Sequence, residues 1–182
     1  VAQANPYAAP AIAGLERLAA AGHPERAAIA RMSLPLYDRT DNAAKLAAAN
    51  EVLLSVADTR GERVDRLEKL RALYGGPLND PAKAYRASLA LFEIDPSERA
   101  NREALLGFAT AAGVTGELAE KLRAAADATE DRNLRRDLLV VVAELEEKQP
   151  GRSGEAEKVY AQILDSEPLH AGAFRALARL YR

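Results

Sequence analysis

The feature that most constrains the fold of this chain is a regular spacing of helix breaks. Short clusters of Gly, Pro, Asn, Asp and charged residues interrupt helix-forming sequence near positions 24, 60, 96, 131 and 168. The steps between these positions are 36, 36, 35 and 37 residues. A constant period in the thirties is typical of a helical repeat array, in which each unit is a pair of helices that cannot bury its apolar face alone.

A second and softer break divides each period into two helices. These breaks are rich in Gly, Pro, Asn and Asp, which supply the backbone angles and local caps that turns need. Pro35 is discordant, because a proline inside a helix removes one hydrogen bond and crowds the preceding turn, so we expect that helix to kink or end there. The spacing predicts ten helices, at 8–21, 25–36, 41–58, 61–74, 81–94, 98–112, 116–128, 131–148, 154–166 and 170–182.

The composition favours closely packed helices. The chain of 182 residues contains 40 Ala and 25 Leu but no Trp, and both of these abundant residues are strong helix formers. We therefore predict an all-α fold, a right-handed α-solenoid of antiparallel helix pairs with about ten helices. The predicted organisation is a single solenoid over 1–182, made of a half unit 1–22, units at about 23–59, 60–95, 96–130 and 131–167, and a half unit 168–182.

The charge pattern argues against nucleic acid as a partner. The 25 basic and 27 acidic residues nearly balance, and no block of five like charges occurs. The longest apolar stretch, 138–143, is far shorter than a membrane span, so no direct membrane insertion is expected. No cysteine or secretory leader pattern is present, which favours the cytoplasm with the periplasm as the alternative, and the initial Val indicates that something upstream has been removed.

The end of the chain resembles the tetratricopeptide repeat. That pattern has an aromatic residue, a Leu, a small residue and a Tyr in the first helix, then an Ala, an aromatic residue and a Pro in the second. Residues 61–74 keep part of the first-helix spacing in Leu67, Leu70 and Tyr74, and the other units match mainly in period. The residues that fit the pattern near the end are Phe174, Leu177, Ala178 and Tyr181 for the first helix, and Ala156, Tyr160 and Pro168 for the second.

These motif residues are predicted to be core residues before anything else, since burying one such side chain is worth about 1.5–3 kcal/mol. The set is Leu67, Leu70, Tyr160, Phe174, Leu177 and Tyr181. Because the chain is similar to a fragment of a long bacterial tetratricopeptide array, helix 170–182 is expected to be the first helix of an unfinished unit. Its apolar strip should then be partly exposed and open to end-to-end packing or dimerisation through this C-terminal half repeat.

The resemblance implies a non-catalytic scaffold that binds a protein or peptide partner along a concave wall of first helices. The groove positions are expected one residue after the first packing position and again four later, as in the pairs Glu103/Gly107 and Val140/Glu144. The predicted partner-binding residues are Arg31, Asp65, Glu68, Glu103, Asp137, Glu144, Arg175 and Arg179, and the further groove positions are Pro35, Ala72, Gly107 and Val140.

The predicted groove is acidic in its middle and basic at its C-terminal end. Family members that clamp the acidic tails of heat-shock chaperones need Lys and Asn at these positions, a pattern that is missing here, so that ligand is disfavoured. We expect instead a helix or extended segment with the complementary charge order. The alternative is a helical sensor or regulatory domain that binds a peptide or small molecule in its groove, which a deep apolar pocket with convergent polar groups would favour.

No reaction class emerges from the sequence. His23 and His170 each stand beside a repeat break without a second ligand nearby, so a helix-terminal or solvated role is favoured over a metal ligand or base. In the segment 151–155 Ser153 is expected to cap a helix, and acidic pairs such as Glu146 and Glu147 are interpreted as solvated faces. The chain is therefore predicted to be no enzyme, with no cofactor and no metal.

Overall fold

A computed structural model describes residues 10, 13–14 and 25–181 of the chain. The described residues form nine α-helices and no strand, and every bound lies within three residues of its predicted position. Of the predicted helix 8–21 only residues 10 and 13–14 are described, and these are helical, whereas His23 and Arg182 lie outside the described residues. The helices are α1 (Arg26–Arg39), α2 (Ala43–Ser55), α3 (Arg60–Gly75), α4 (Pro81–Ile94), α5 (Arg99–Ala112), α6 (Thr115–Ala128), α7 (Arg132–Lys148), α8 (Ser153–Ser166) and α9 (Ala171–Leu180).

The chain divides into two compact units, residues 1–95 and 96–182. The division falls on one of the predicted repeat boundaries. Within unit 1, α1 packs against α2, α2 against α3 and α3 against α4, and the consecutive helices from α5 to α9 likewise pack against one another within unit 2. In unit 2, α5 approaches α6 much less extensively than the other neighbours approach each other. Consecutive packing of neighbouring helices confirms the predicted all-α solenoid class.

Side chains in the breaks determine where several helices begin. Thr59 accepts the backbone N–H of Glu62 at 3.2 Å, and the Glu62 carboxylate accepts the backbone N–H of Thr59, which forms a capping box at the start of α3. Asp80 caps α4 in the same position, with Pro81 as the first helical residue, and Asp131 caps α7. These caps explain why the sequence alone predicts the helix bounds closely.

Alanine lines the contacts between helices. Six alanines in the second to fourth predicted units are at most 1% exposed, and they face neighbouring helices together with large apolar side chains such as Leu91, Leu118 and Ile163. A methyl group leaves little distance between two backbones, so the abundance of Ala produces close helix pairs. These six are Ala84, Ala109, Ala119, Ala126, Ala143 and Ala156.

Helix α1 passes through Pro35 and continues to Arg39, so of the two expectations, a kink or an end at the proline, the end is wrong. Pro35 is exposed, and its ring therefore lies on the solvent side of the helix. Two residues later Tyr37 is only 7% exposed and packs in a cluster with Ala30, Ala49 and Leu53. Burial of this large aromatic side chain offsets the hydrogen bond that the proline removes.

Helix α9 packs through its small residues and exposes its aromatic ones. Ala173 and Ala176 are buried, whereas Phe174 is 64% and Tyr181 67% exposed. The prediction that both aromatics belong to the core is therefore wrong, while Leu67, Leu70 and Tyr160 are buried as predicted. Among the described helices only α8 packs extensively against α9, and this contact leaves much of both rings in solvent even though the Tyr181 hydroxyl donates to Glu157 on α8. The expected exposed apolar strip on this helix is confirmed.

Candidate functional site

Three first helices of unit 2, α5, α7 and α9, carry two adjoining depressions. The first, which we call the apolar slot, has a volume of about 370 Å³ and a floor of leucine and valine side chains that includes Leu106, Val140 and Val141. The second, which we call the charged pocket, has a volume of about 810 Å³ and lies between α7 and α9. Val140 and His170 line both depressions, which together form one surface, the α5–α7–α9 face.

The structure brings five of the predicted partner-binding residues together on this face. Glu103 and Asp137 line the apolar slot, and Glu144, Arg175 and Arg179 line the charged pocket. The periodic spacing placed them on first helices, and the folded unit places those helices side by side. Their proximity does not test whether a partner binds there, so their role remains a prediction.

The acidic residues at the apolar slot are neutralised by their own neighbours. Glu103 accepts a hydrogen bond from Arg99 Nε at 2.8 Å, and Asp137 accepts one from Arg136 Nη2 at 2.8 Å. Each contact raises the pKa of the arginine, chiefly through the hydrogen bond to the carboxylate. Arg136 also reaches Glu167, at 3.3 Å. The carboxylates that were expected to make the middle of the groove acidic are therefore paired with arginines at the apolar slot.

The charged pocket contains ionic groups that no described residue neutralises. Glu144 and Lys148 are exposed on α7 and make no ion pair with any residue in the described part of the chain. Arg175 on α9 donates only from Nε, to the carbonyl of Ala171 in its own helix at 3.2 Å. Two free cations and one free anion thus face the same pocket, and they can bind charged or polar groups of a partner without losing an internal contact.

One wall of the charged pocket is formed by an ion pair between helices. Arg179 on α9 donates to both carboxylate oxygens of Glu147 on α7, and the hydroxyl of Tyr160 on α8 donates to the same carboxylate at 3.2 Å. Burial of the Tyr160 ring and the nearby negative charge of Glu147 raise the pKa of Tyr160 to about 12. Glu147 therefore connects three helices behind the pocket.

His170 stands at the junction of the two depressions and begins α9. Its Nδ1 accepts the backbone N–H of Ala173 at 3.1 Å, so the imidazole serves as the helix cap that the sequence suggested. The remaining nitrogen, Nε2, donates to no described residue. Within the described chain no group of three His, Cys, Asp or Glu side chains could hold a metal ion.

Unit 1 presents the corresponding first helices, α1 and α3. Of the predicted groove positions, Pro35 and Ala72 line a pocket of about 540 Å³ between these helices, which we call the α1–α3 pocket. Asp65 pairs with Lys69 at 2.9 Å, a contact that lowers the pKa of Asp65. Arg31 and Glu68 are exposed and make no ion pair with a described residue, and neither lines the pocket.

Two of the sequence interpretations are wrong in unit 2. Glu146, interpreted as solvated, is 2% exposed, and its carboxylate accepts hydrogen bonds from Arg152 and lies 3.7 Å from Arg123 Nη2. Glu147 was interpreted as solvated too, but it is half-buried in its ion pair with Arg179. Ser153 is the first residue of α8 and does not cap it; the capping position is Arg152, which makes no side-chain cap.

A positional signal for the buried carboxylate was present in the sequence. Glu146 continues the stripe of Leu139, Val142 and Ala143 at helical spacing, and all three of these residues are buried. A glutamate on an apolar stripe indicates a buried charge that needs a cationic partner. Arg152, six residues later across the tight turn at Gly151, supplies that partner.

No family model matches the chain, and neither a curated protein nor a solved structure matches it. Among the described helices none has the length and apolar character required to cross a membrane.

Proposed function

We propose that this chain is a non-catalytic scaffold of the tetratricopeptide type, which binds a helix or extended segment of a partner protein on the α5–α7–α9 face. The observation that carries the proposal is the continuity of this face. An apolar slot and a pocket with unneutralised charges adjoin at Val140 and His170. Apolar side chains of a partner provide affinity in such a slot, and charged groups beside it select the partner and its direction.

The experiment reverses the free charges of the charged pocket. Glu144→Lys and Arg175→Glu change groups that make no described ion pair, so the fold should persist in both variants. The purified unmodified chain and each variant are immobilised separately. The proteins that each of them captures from a cell extract are then identified by mass spectrometry. A set of partners that is retained by the unmodified chain and lost from both variants is expected.

Matched controls lie on α6, which is not a first helix. Lys121→Glu and Asp127→Lys make the same charge changes at exposed positions outside both depressions. Circular dichroism should show the same helix content in all four variants. Capture that survives both pocket variants, or that is lost equally from the controls, would refute the assignment of this face.

A second function, a sensor or regulatory domain that binds a small molecule, is favoured by one observation in unit 1. The α1–α3 pocket combines a mostly aliphatic lining with the buried amide of Asn50 and the partly buried guanidinium of Arg66. Its volume of about 540 Å³ falls in the range of about 300–1,000 Å³ that is usual for ligand sites. The apolar lining and the convergent polar groups are two of the features expected of a sensor, whereas the third, depth, is absent because the pocket is open to solvent.

A further inference from the structure

The α1–α3 pocket has an aliphatic wall contributed by three helices. Leu34 and Pro35 come from α1, Leu46 from α2, and Ala72 and Leu73 from α3. These side chains are exposed or half-buried, so part of their apolar surface faces water in the absence of a ligand. Covering this surface with a hydrocarbon group is favourable in proportion to the area removed from water.

Arg66 is held rigidly beside this wall. Its side chain is 22% exposed, and Nη1 donates to Oδ1 of Asn50 at 3.2 Å. Asn50 is itself only 3% exposed and is fixed by a hydrogen bond from its Nδ2 to the carbonyl of Leu46 at 2.8 Å. Nε and Nη2 of Arg66 donate to no residue of the described chain. A guanidinium with one end fixed and these donors free is preorganised to bind an oxyanion.

The other charges at the pocket do not compete strongly with Arg66. Lys69 is neutralised by Asp65 at 2.9 Å, and both side chains are about half exposed. Asp65 also lies 3.5 Å from Arg66 Nη1, which is the end of the guanidinium already held by Asn50. Asp38 lines the pocket but is exposed, where water screens its charge. Arg66 is the least solvated ionic group of the pocket and therefore determines the sign of the ligand.

We infer that the α1–α3 pocket binds a small amphiphilic organic anion, with its carboxylate on the free donors of Arg66 and its aliphatic chain against Leu34, Leu46 and Leu73. Two parallel N–H donors match the two oxygens of a carboxylate, and the partly desolvated site strengthens the ion pair. The inference rests on the second of the two proposed functions. It does not depend on partner binding at the α5–α7–α9 face.

The test uses decanoate below its micelle concentration as the probe, with binding followed by calorimetry and by amide chemical shifts. We expect saturable binding with shift changes at residues 34–38 and 66–73. Arg66→Gln should weaken it at least about tenfold, because a charge-assisted contact is lost. Arg63→Gln is the matched control, an exposed arginine on the same helix outside the pocket, and should bind normally. Decyltrimethylammonium, which has the same chain and the opposite charge, should not bind.

A second variant keeps the inference testable if Arg66→Gln misfolds, since that substitution removes the hydrogen bond to Asn50. Ala72 is exposed and lines the pocket, so Ala72→Phe should fill the space and abolish decanoate binding while the amide spectrum stays folded. Glu144→Lys and Arg175→Glu in unit 2 should leave decanoate binding unchanged, which separates this inference from the scaffold proposal. Absence of saturable decanoate binding would overturn the inference, as would equal affinity for Arg66→Gln or for the cationic amphiphile. The inference would also be overturned if a peptide with a C-terminal Leu-Asp binds at this pocket and decanoate does not.

Discussion

Arg179 on α9 and Glu147 on α7, which are 32 residues apart in the sequence, form the ion pair in one wall of the charged pocket. Nη2 of Arg179 lies 2.6 Å from Oε1 and 2.8 Å from Oε2 of Glu147, and Nε lies 3.1 Å from Oε1. The Glu147 side chain is 22% exposed and that of Arg179 is 66% exposed. The pair therefore combines a partly buried carboxylate with a solvated guanidinium.

Removing this ion pair should cost little stability. Arg179→Ala is expected to lower the free energy of unfolding by at most about 1 kcal/mol, because the arginine is mainly solvated and water replaces much of its contact. Urea denaturation of Arg179→Ala, Glu147→Gln and the double variant gives the coupling energy of the pair. A coupling above about 2 kcal/mol would show that the pair behaves as a buried one and would contradict this expectation.

Tyr160 should make stability depend on alkaline pH. Its pKa in the folded protein is about 12, against an ordinary value near 10, so the folded state binds the phenolic proton more tightly than the unfolded state does. This contribution to stability is complete below about pH 10 and is lost as the pH rises towards 12. Tyr160→Phe should consequently lose less stability than the unmodified chain over that interval, as measured by urea denaturation at each pH.

The tyrosine pKa can also be observed directly. Labelling the Cζ atoms of tyrosine with carbon-13 and titrating by NMR should show Tyr160 ionising well above an unstructured tyrosine. Glu147→Gln removes the charge of Glu147 and should bring the pKa of Tyr160 part of the way back, since burial of the ring and the charge of Glu144 remain. An ordinary pKa near 10 in the unmodified chain would disprove the arrangement.

The buried carboxylate of Glu146 should make Arg152 more important for stability than its exposure suggests. Arg152→Gln leaves Glu146 with only Arg123, at 3.7 Å, and a buried carboxylate that loses its hydrogen-bonded cation is destabilising. Arg123→Gln, which removes the more distant cation, is the matched control and should cost clearly less. The ranking is measured by thermal unfolding, and equal losses for the two variants would speak against a dominant Arg152 contact.

The fold was predictable because its signals are local. Helix bounds follow from residues at the breaks, such as the Thr59 capping box and the Asp80–Pro81 start, and each acts within four positions of itself. The repeat period then extends these local signals over the chain. The end expected at Pro35 was wrong because the opposing effect, burial of Tyr37 against α2, depends on a neighbouring helix.

The ionic contacts of the candidate site were less predictable, because they depend on the register between helices. Repeat-equivalent positions are 35 to 37 residues apart, whereas Glu147 and Arg179 are 32 apart, a difference of about one helical turn. The side chain of Arg179 therefore pairs with a carboxylate about one turn beyond Glu144, which is its repeat-equivalent position. Periodicity therefore placed Glu103, Asp137, Glu144 and Arg175 near one another without showing which charges are neutralised.

Substitutions should distinguish the buried motif residues from the exposed ones. Leu67 is 3% exposed, so Leu67→Ala should lower the free energy of unfolding by about 2–5 kcal/mol. Phe174 is 64% exposed, and Phe174→Ala should change it by no more than about 0.5 kcal/mol. Urea denaturation of both variants provides the comparison. A large loss for Phe174→Ala in dilute solution would indicate that this ring is covered.

Two glycines of α5 should respond to alanine in opposite directions. Gly107 lies inside the helix, and an added Cβ meets nothing within 4 Å, so Gly107→Ala should stabilise the protein by about 0.5–1 kcal/mol through better helix propensity. Gly113 ends the same helix with φ of 71°, a left-handed conformation that favours glycine. Gly113→Ala should therefore destabilise the protein by about 1–2 kcal/mol, although space for the methyl group is available. Urea denaturation measures both changes, and a loss of stability in Gly107→Ala would mean that this face of α5 is packed against something.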